Sequence, residues 1–330
     1  MKISVIIPAY NCGKYLGKQI ECLLNQKVEK EIIVVDNHST DDTRKVAESY
    51  QGVKVVSEET QGASAARNRG LREATGEFIV FADGDDEVEE TYLSSLLQAF
   101  EERDCMLAVC GYDTYVVEND AKEFIKKSPD EKTYYQWDSM LKRLFQTKYY
   151  EGFIWNKMFR RSVIEEHGVS FDEDVFYNED RLFILRYLLA SKGRVSFANT
   201  HEYHYMIRKD SAMNNFRQGQ RVSEKEITEF LSFERMRQAV KKSGLSEVLY
   251  QLEEDMIQSE LRCFKRMISK EHIFQYRKSQ MRKYARKSLF ITYDIQGEFE
   301  DVLLHVFRRY GFLGISYTSN PGLFKDIGIL

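Results

Sequence analysis

The chain has 330 residues, of which 43% are hydrophobic and 30% charged, with a formal net charge of −4. That length allows one large domain with an appendage, or two domains, each with a sizeable core. With 3 prolines and 18 glycines, and no internal repeat, the chain is neither a low-complexity nor a linker-rich protein.

The first element begins almost at once. In MKISVIIPAY the apolar run stops at Pro8, too short for the apolar core of a signal peptide followed by a cleavage site. Ile3 to Pro8 reads as a buried strand ended by the proline, with Ala9-Tyr10-Asn11 as a loop at its carboxyl end. Lys14 to Asn25 carries Tyr15, Leu16, Ile20, Leu23 and Leu24 at helical spacing. Glu31 to Asp36 is a second strand ending in an acid. The turn residues Asn37 to Asp42 lead into a helix from Thr43 to Tyr50. Val53 to Val56 is a third strand, and Gly62 to Thr75 a helix with Gly76 as its stop.

The stretch GEFIVFADGDD, Gly76 to Asp86, is a fourth strand, Phe78 to Ala82, running into Asp83-Gly84-Asp85-Asp86. Three carboxylates on four positions repel one another unless a positive group sits among them, and a hard divalent cation is one natural partner. A solvated turn that caps the next helix, Glu89 to Glu101, is the other reading.

These elements spell βαβαβαβ, a parallel sheet with helical crossovers. In such sheets ligands bind outside the carboxyl ends of the strands. Pro8, Ala9, Tyr10, Asp36 and the Asp83-Gly84-Asp85 turn therefore fall on one edge. A GxGxxG fingerprint after the first strand and a Walker A loop are both missing, which argues against a dinucleotide enzyme and a P-loop NTPase. A haloacid-dehalogenase phosphatase would need an aspartate where this chain has Pro8-Ala9-Tyr10, and a sugar nucleotidyltransferase a glycine-rich loop with arginine.

Further along, Leu107 to Cys110 and Thr114 to Val117 read as strands, and Phe153 to Phe159 as strand or loop. Val175 to Asp180 precedes a helix with Leu182, Phe183, Leu185, Leu188 and Leu189 on its apolar side. Asn178 as N-cap puts Glu179 and Asp180 in the first turn, where the helix dipole favours an ionised carboxylate. Neighbours on a helix point ~100° apart, so one of the two is expected to face the crevice. Acids at a helix start are also stabilising without any chemical role.

From Arg217 onward the composition is helical, with helices expected over Glu224–Lys242, Ser246–Ile268 and Glu271–Phe290, and a packed apolar tail from Phe312 to Leu330. Between Arg217 and Phe290 there are 17 Lys and Arg against 10 Asp and Glu, densest from Arg262 to Lys287. The front of the chain is correspondingly acidic, which suggests separate jobs. No apolar run approaches the ~20 residues of a membrane span. Cys12, Cys22, Cys105, Cys110 and Cys263 lack metal-ligand spacing and read as reduced thiols of a cytoplasmic protein.

VIIPAYN (Val5 to Asn11), IIVVDNHSTDDT (Ile32 to Thr43), QGASAARNRGL (Gln61 to Leu71), GEFIVFADGDD, WNKMFRRS (Trp155 to Ser162) and FDEDVFYNEDRLF (Phe171 to Phe183) occur in this order. Together they resemble the family 2 glycosyltransferases with the GT-A fold, over roughly Lys2 to Asn214. The resemblance implies an α/β fold with a mostly parallel, Rossmann-like sheet flanked by helices. It divides the chain into a nucleotide-sugar-binding catalytic domain, 1–215, and a basic C-terminal helical region, 216–330.

The resemblance also implies an inverting sugar transfer from a nucleotide-diphosphate donor, most often a UDP-sugar, to a hydroxyl of a glycan or lipid-linked acceptor in surface polysaccharide synthesis. Pro8, Ala9, Tyr10 and Asp36 match contacts to uracil and ribose, and Arg67, Asn68 and Gly84 match positions lining the nucleotide. Asp83 and Asp85 match the DxD pair, Asp85 as the direct ligand of Mn²⁺ or Mg²⁺ and Asp83 nearer the ribose. Asp86 falls to the donor sugar and Trp155 to the border of the acceptor. Glu179-Asp180 matches the family's paired acids, with Asp180 as the general base. Arg208 and Lys209 would add positive charge at the diphosphate, a solvated loop being the alternative.

Three departures stand out. Asp36-Asn37-His38-Ser39 replaces the frequent Asp-Asp-Gly-Ser turn, and His38 is read as a turn residue, a uracil-side contact being the alternative. Thr60 stands where Asn is common. Arg208 stands where a His is frequent, leaving metal coordination by that loop open, and His204 is read as a structural partner. A non-catalytic sugar-nucleotide or glycan-binding module on the same scaffold competes with the enzyme, and retention of Asp36, Asp83, Asp85, Glu179 and Asp180 together favours the enzyme. The basic run Arg262–Lys287 suits an anionic membrane surface at the inner face of the cell membrane, a self-association surface in a homo-oligomer, or a solvated face. Nothing near it resembles a nucleic-acid reading motif.

Overall fold

The computed structural model describes residues 1–101, 105–119, 121–129, 134–145, 152–208, 224–253, 255, 256 and 259. Lys209, the run Arg262–Lys287, the helix expected over Glu271–Phe290 and the tail from Phe312 lie outside the described residues.

Strands β1 (Ile3–Ala9), β2 (Lys30–Asp36), β3 (Val53–Ser57) and β4 (Phe78–Phe81) alternate with helices α1 (Gly13–Leu24), α2 (Thr43–Glu48) and α3 (Ala63–Glu73). All three strand pairings among them are parallel: β1 with β2, β1 with β4 and β2 with β3. Pro8 does not end β1. It pairs in register with Val35, and Ala9 with Asp36. A proline at that point withholds one ladder donor while β2 continues beside it. Helix α3 stops at Glu73 with Ala74 as C-cap, so Gly76 is not the stop. Gly76 lies where a Cβ would press on the backbone of Ser4.

The apolar runs are buried on both faces, as parallel strands between helices require. Val5, Ile7, Ile32, Val34, Phe78 and Val80 pack into one core with Leu16, Ile20 and Leu96. Ile6, Ile33, Val35, Ile79 and Phe81 pack into the other with Ala66, Leu182 and Phe183. Helix α3 approaches the sheet closely because residue 70 is glycine; a Cβ there would overlap Ile6.

The rest of the sheet is mixed. After β5 (Glu87–Val88) and α4 (Tyr92–Glu101) come β6 (Leu107–Glu118), β7 (Ala121–Lys127), β8 (Tyr134–Tyr135), α5 (Trp137–Leu144), β9 (Lys157–Arg160), α6 (Arg161–Glu166), α7 (Glu179–Ser191) and β10 (Val195–Arg208). The order across the sheet is β3-β2-β1-β4-β9-β6-β10-β5, with β7 on β6 and β8 on β10. The two strands expected within 107–117 are one continuous strand. Strand β9 lies antiparallel between β4 and β6.

Helix α8 (Glu224–Ser243) follows, and residues 246–253 are helical. The described part of the C-terminal region packs on helices of the preceding part of the chain. Phe233, Met236, Val240, Val248, Leu252 and Met256 share a core with Leu182, Ile184 and Leu188 of α7. Described residues on both sides of the expected 215/216 boundary thus share one cluster. Among the described residues no helix is long and apolar enough to cross a membrane.

Candidate active site

The carboxyl edge of β2, β1 and β4 is laced together by its own loops. Asn11, in the left-handed region at φ 48°, accepts at Oδ1 from the Thr40 amide (2.8 Å), and its own amide donates to Ser39 Oγ. Asp36, buried at the end of β2, accepts from the Ser39 amide at 3.2 Å. Asn37 is buried too; it donates to the carbonyls of Glu58 and Thr60 and accepts from Gly62 N. That side chain ties the β2 loop to the start of α3, which explains an amide where the family often has a second acid. His38 is a left-handed turn residue at φ 67°, as read from the sequence. Tyr10 is half exposed at the mouth of this edge.

The Asp83-Gly84-Asp85-Asp86 turn is pressed against α1. A Cβ on Gly84 would meet Cys12 Sγ at 3.0 Å and Leu16 Cδ1 at 3.3 Å, so the glycine serves close approach to the helix. Tyr203 of β10 accepts from the Asp83 amide and donates to Asp86. Arg208, at the end of the same strand, stacks on the Tyr15 ring at 4.1 Å, donates to the Asp85 carbonyl and lies 3.8 Å from the Asp85 carboxylate. Its described contacts thus hold the acidic turn itself. His204 pairs with Glu89 at 3.2 Å and is a structural partner, as expected.

Two expectations need correction. Asp86 is 3% exposed, and its carboxylate is taken by Tyr203 Oη and the Met206 amide, both at 2.8 Å. It anchors the turn to β10 from inside. Trp155 is 2% exposed and stacked on Tyr203 at 4.2 Å and Phe153 at 4.7 Å. Its ring is core rather than acceptor border. Asn68 is likewise consumed: its amide donates to Phe171 O and accepts from Phe171 N, each at 3.0 Å. It fastens α3 to the segment leading into α7.

Arg67 is where the parts meet. Its side chain is 6% exposed, with Nη1 at 3.1 Å from Glu179 and 3.0 Å from Asp180, and Nη2 at 3.7 Å from Asp83. One guanidinium from α3 therefore bridges the end of β4 and the start of α7. Both acids of the first turn of α7 reach it, where helical geometry alone suggested one. Asn178 does occupy the N-cap position, at φ 60°, but it makes no side-chain cap. Its amide reaches Glu229 of α8 instead.

The electrostatics follow from burial. It pushes Asp83 up to about 7 against the pull of Arg67, with Asp85 and Asp180 adding to the rise. Burial and the neighbouring Asp180 push Glu179 up to about 7, again against Arg67. Asp180 is raised by burial, tempered by Arg67, Lys157 and the Ile154 amide. Burial alone would lower Arg67; Asp180, Glu179 and Asp83 outweigh it and hold the guanidinium above its ordinary range. Asp180 Oδ1 is buried and lies 3.0 Å from Arg67 Nη1, without an aligned hydrogen bond among the described residues. Cys12 is no nucleophile, since burial and then Asp85 push its thiol up to about 12.

No group of three or more His, Cys, Asp or Glu among the described residues forms a ready metal cage. The donors that do face outward are hard carboxylate oxygens, chiefly Asp85, whose side chain is 35% exposed. That set fits Mg²⁺ or Mn²⁺, which takes one or two carboxylates and completes its shell from phosphates and water. Sequence reasoning missed the bridging part of Arg67, the anchoring part of Tyr203 and the buried Lys157. For Lys157 a signal existed, a lone cation inside the apolar run WNKMF.

A family profile described as glycosyl transferase family 2 matches residues 4–168. The chain is 34% identical over 228 residues to EpsH of Bacillus subtilis (strain 168), covering 65% of this chain and 63% of that protein. It is 29% identical over 222 residues to the poly(ribitol-phosphate) beta-N-acetylglucosaminyltransferase TarP of Staphylococcus aureus (strain N315), covering 65% of each. The chain thus spans less than two thirds of either relative's length. The crystal structure of S. aureus TarS 1–349 in complex with UDP-GlcNAc superposes with a TM-score of 0.63 at 21% identity, over 86% of this chain and 80% of that one. That likeness is one of fold.

Proposed function

The chain belongs to glycosyl transferase family 2, and on that premise we propose that it is a metal-dependent, inverting glycosyltransferase. It moves a sugar from a nucleotide-diphosphate donor, in our reading a UDP-sugar, to a hydroxyl of a glycan or lipid-linked acceptor in surface polysaccharide synthesis. The carrying observation is the Arg67 bridge, which brings Asp83 of the donor-side turn and Asp180 of α7 to one guanidinium. The UDP-GlcNAc complex of TarS and the acceptor named for TarP support the donor class and a surface glycan.

In this reading the acceptor oxygen attacks the anomeric carbon as its proton passes to Asp180 Oδ1. The bond from that carbon to the diphosphate oxygen breaks, and its electron pair leaves with the nucleoside diphosphate. A sugar hydroxyl is a weak nucleophile until a base takes its proton in the transition state. Asp85 is the residue to hold the divalent cation, which supplies Lewis-acid stabilisation of the charge on the departing diphosphate. Pro8, Ala9, Tyr10 and Asp36 line the edge that would take the uridine, with Asp83 toward the ribose. Arg67 keeps the base and the donor-side turn in fixed relation.

The test is UDP release from a panel of UDP-sugars with Mn²⁺, compared with Asp180→Asn. Turnover that falls at least ~100-fold in the variant, with UDP affinity retained, supports the reading. Undiminished turnover in Asp180→Asn refutes the base assignment. UDP binding without turnover of any donor in the panel supports a binding module instead.

A further inference from the structure

The paired acids of α7 are bracketed by contacts that the proposed chemistry does not use. The residue before Glu179 is Asn178, whose amide donates to Glu229 Oε1 of α8 at 3.3 Å. The residue after Asp180 is Arg181, whose Nη1 donates to Asp255 Oδ2. Glu229 and Asp255 both belong to the C-terminal region, and the Arg181 and Asp255 side chains are largely buried. A cation in the first turn of a helix sits at the positive end of its dipole, so local helix stability does not account for Arg181. Its ion pair does. Residue 152 adds to the confinement, since a Cβ on that glycine would overlap the Arg181 side chain.

The segment that leads into the acids is held from the same side. Arg235 of α8 donates to Asp172 at 2.5 Å and to both carboxylate oxygens of Asp174 at 2.6 Å. Thr228 Oγ1 accepts from the Phe176 amide at 2.9 Å. From the other side α3 holds the segment: Ser64 Oγ donates to the Val175 carbonyl at 3.3 Å, and Asn68 is bonded to both backbone groups of Phe171. Asn68 follows Arg67, whose guanidinium lies 3.1 Å from Glu179 and 3.0 Å from Asp180. The spacing between Arg67 and the acids is thus set on one flank by α3 and on the other by α8 and Asp255.

We propose that Glu229 and Asp255 are positioning residues: by gripping Asn178 and Arg181 they fix the first turn of α7 so that Glu179 and Asp180 meet Arg67, which makes the C-terminal region a working part of the site. The inference rests on Asp180 being the general base. Both grips act on α7, whereas Pro8, Ala9, Tyr10 and Asp36 lie on the sheet edge, so nucleotide binding and turnover should separate. Misplacing a reacting group by about 1 Å can cost about 100-fold in rate.

The experiment compares wild type with Asp255→Asn, which removes the ion pair at constant size, Asp255→Glu, which keeps the charge, and Glu229→Met, which removes the acceptor for Asn178. In Asp255→Asn and Glu229→Met, kcat should fall about tenfold or more while UDP affinity stays within about threefold. Asp255→Glu should recover part of the loss. A readout that needs no turnover is the ¹⁵N spectrum of arginine-labelled protein, with the Arg67 guanidinium assigned through Arg67→Met; its resonances should move in Asp255→Asn and in Glu229→Met. An unmoved Arg67 signal in a folded variant overturns the proposal, as does unchanged kcat or UDP affinity that falls as far as kcat. If Asp255→Asn does not fold, because Arg181 is left buried without its partner, Glu229→Met makes the same comparison. Full turnover by Asp180→Asn would refute the base assignment, and the Arg67 signal would still decide whether Glu229 and Asp255 set the acids.

Discussion

Replacing Arg67 by methionine removes the one guanidinium shared by Asp83, Glu179 and Asp180 while keeping most of its buried length. A carboxylate beside an arginine titrates about 1–3 pH units lower than it otherwise would. Without Arg67, Asp180 loses the cation that tempers its burial and should move further up. The acid limb of kcat/KM should therefore shift to higher pH, with activity at pH 7 reduced and recovering as pH rises. Arg67→Lys keeps a charge but loses the fork that spans both sides, and should fall between. Stability carries its own sign. Asp83 and Glu179 titrate at about 7 in the fold, against ~3.9 and ~4.3 in an unfolded chain. The native state therefore holds protons that the unfolded state has released, and these two groups make stability decline from about pH 4 to about pH 7. Arg67 limits that decline, although Asp83 at 30% exposure is partly screened by water. The melting-temperature gap between Arg67→Met and wild type should be small near pH 5 and widen above pH 7, toward a ceiling of about 3–5 kcal/mol. The assay is a pH–rate profile of UDP release beside thermal melts at matched pH. An acid limb that coincides with wild type, or a gap that widens toward low pH, refutes the reasoning.

Mn²⁺ and UDP binding together near pH 7 should release on the order of one proton, because a bound cation favours the ionised forms of Asp83 and Glu179; calorimetry in two buffers of different ionisation heat measures this, and a buffer-independent heat counts against it. Asp86→Ala strands the Met206 amide and Tyr203 Oη, so it should lower stability by ~1–3 kcal/mol for each stranded group while leaving donor preference unchanged. Altered donor preference at unchanged melting temperature would return Asp86 to the sugar site. Trp155→Ala opens the centre of an aromatic stack and should cost about 3–5 kcal/mol in urea titrations, with UDP affinity of the folded protein unchanged; a selective loss of acceptor KM would contradict its burial.

The first half of the fold was legible because parallel strands between two helical layers leave a strong trace. Ile32 to Val35 has no polar interruption, since alternate residues enter opposite cores. Boundaries were less legible. Pro8 reads as a terminator, yet β1 runs through it to Ala9 because a proline deprives the ladder of one donor without removing its carbonyl. The antiparallel insertion of β9 between β4 and β6 left no trace in WNKMFRR, because strand order is a tertiary property and a short apolar run fits either direction. The break expected at 215/216 rested on the reach of the family resemblance and on the basic composition beyond it. Charge reports the exposed face of a helix, whereas Phe233, Met236 and Val240, which seat α8 in the main core, are spaced as in any amphipathic helix.

The site shows the same limit in sharper form. Asp83, Asp85, Glu179 and Asp180 were legible as acids worth explaining, because clustered carboxylates are costly without a purpose. What compensates them was not, since a cation neutralises an acid by distance in space and Arg67 stands 113 residues before Asp180 in the chain. Asp86 and Trp155 were assigned to the sugars by their place in the family's motifs. In the fold both lie behind the turn, and their partner is Tyr203, whose hydroxyl joins the Asp83 amide to Asp86 and whose ring stacks on Trp155. The exposed acid at the mouth, Asp85, is thus presented by a buried acid, a buried indole and a buried tyrosine. A substitution in that support would displace the exposed carboxylate of Asp85 without touching it directly, which makes residue type a weak guide to which side chains can meet a ligand and burial the better one.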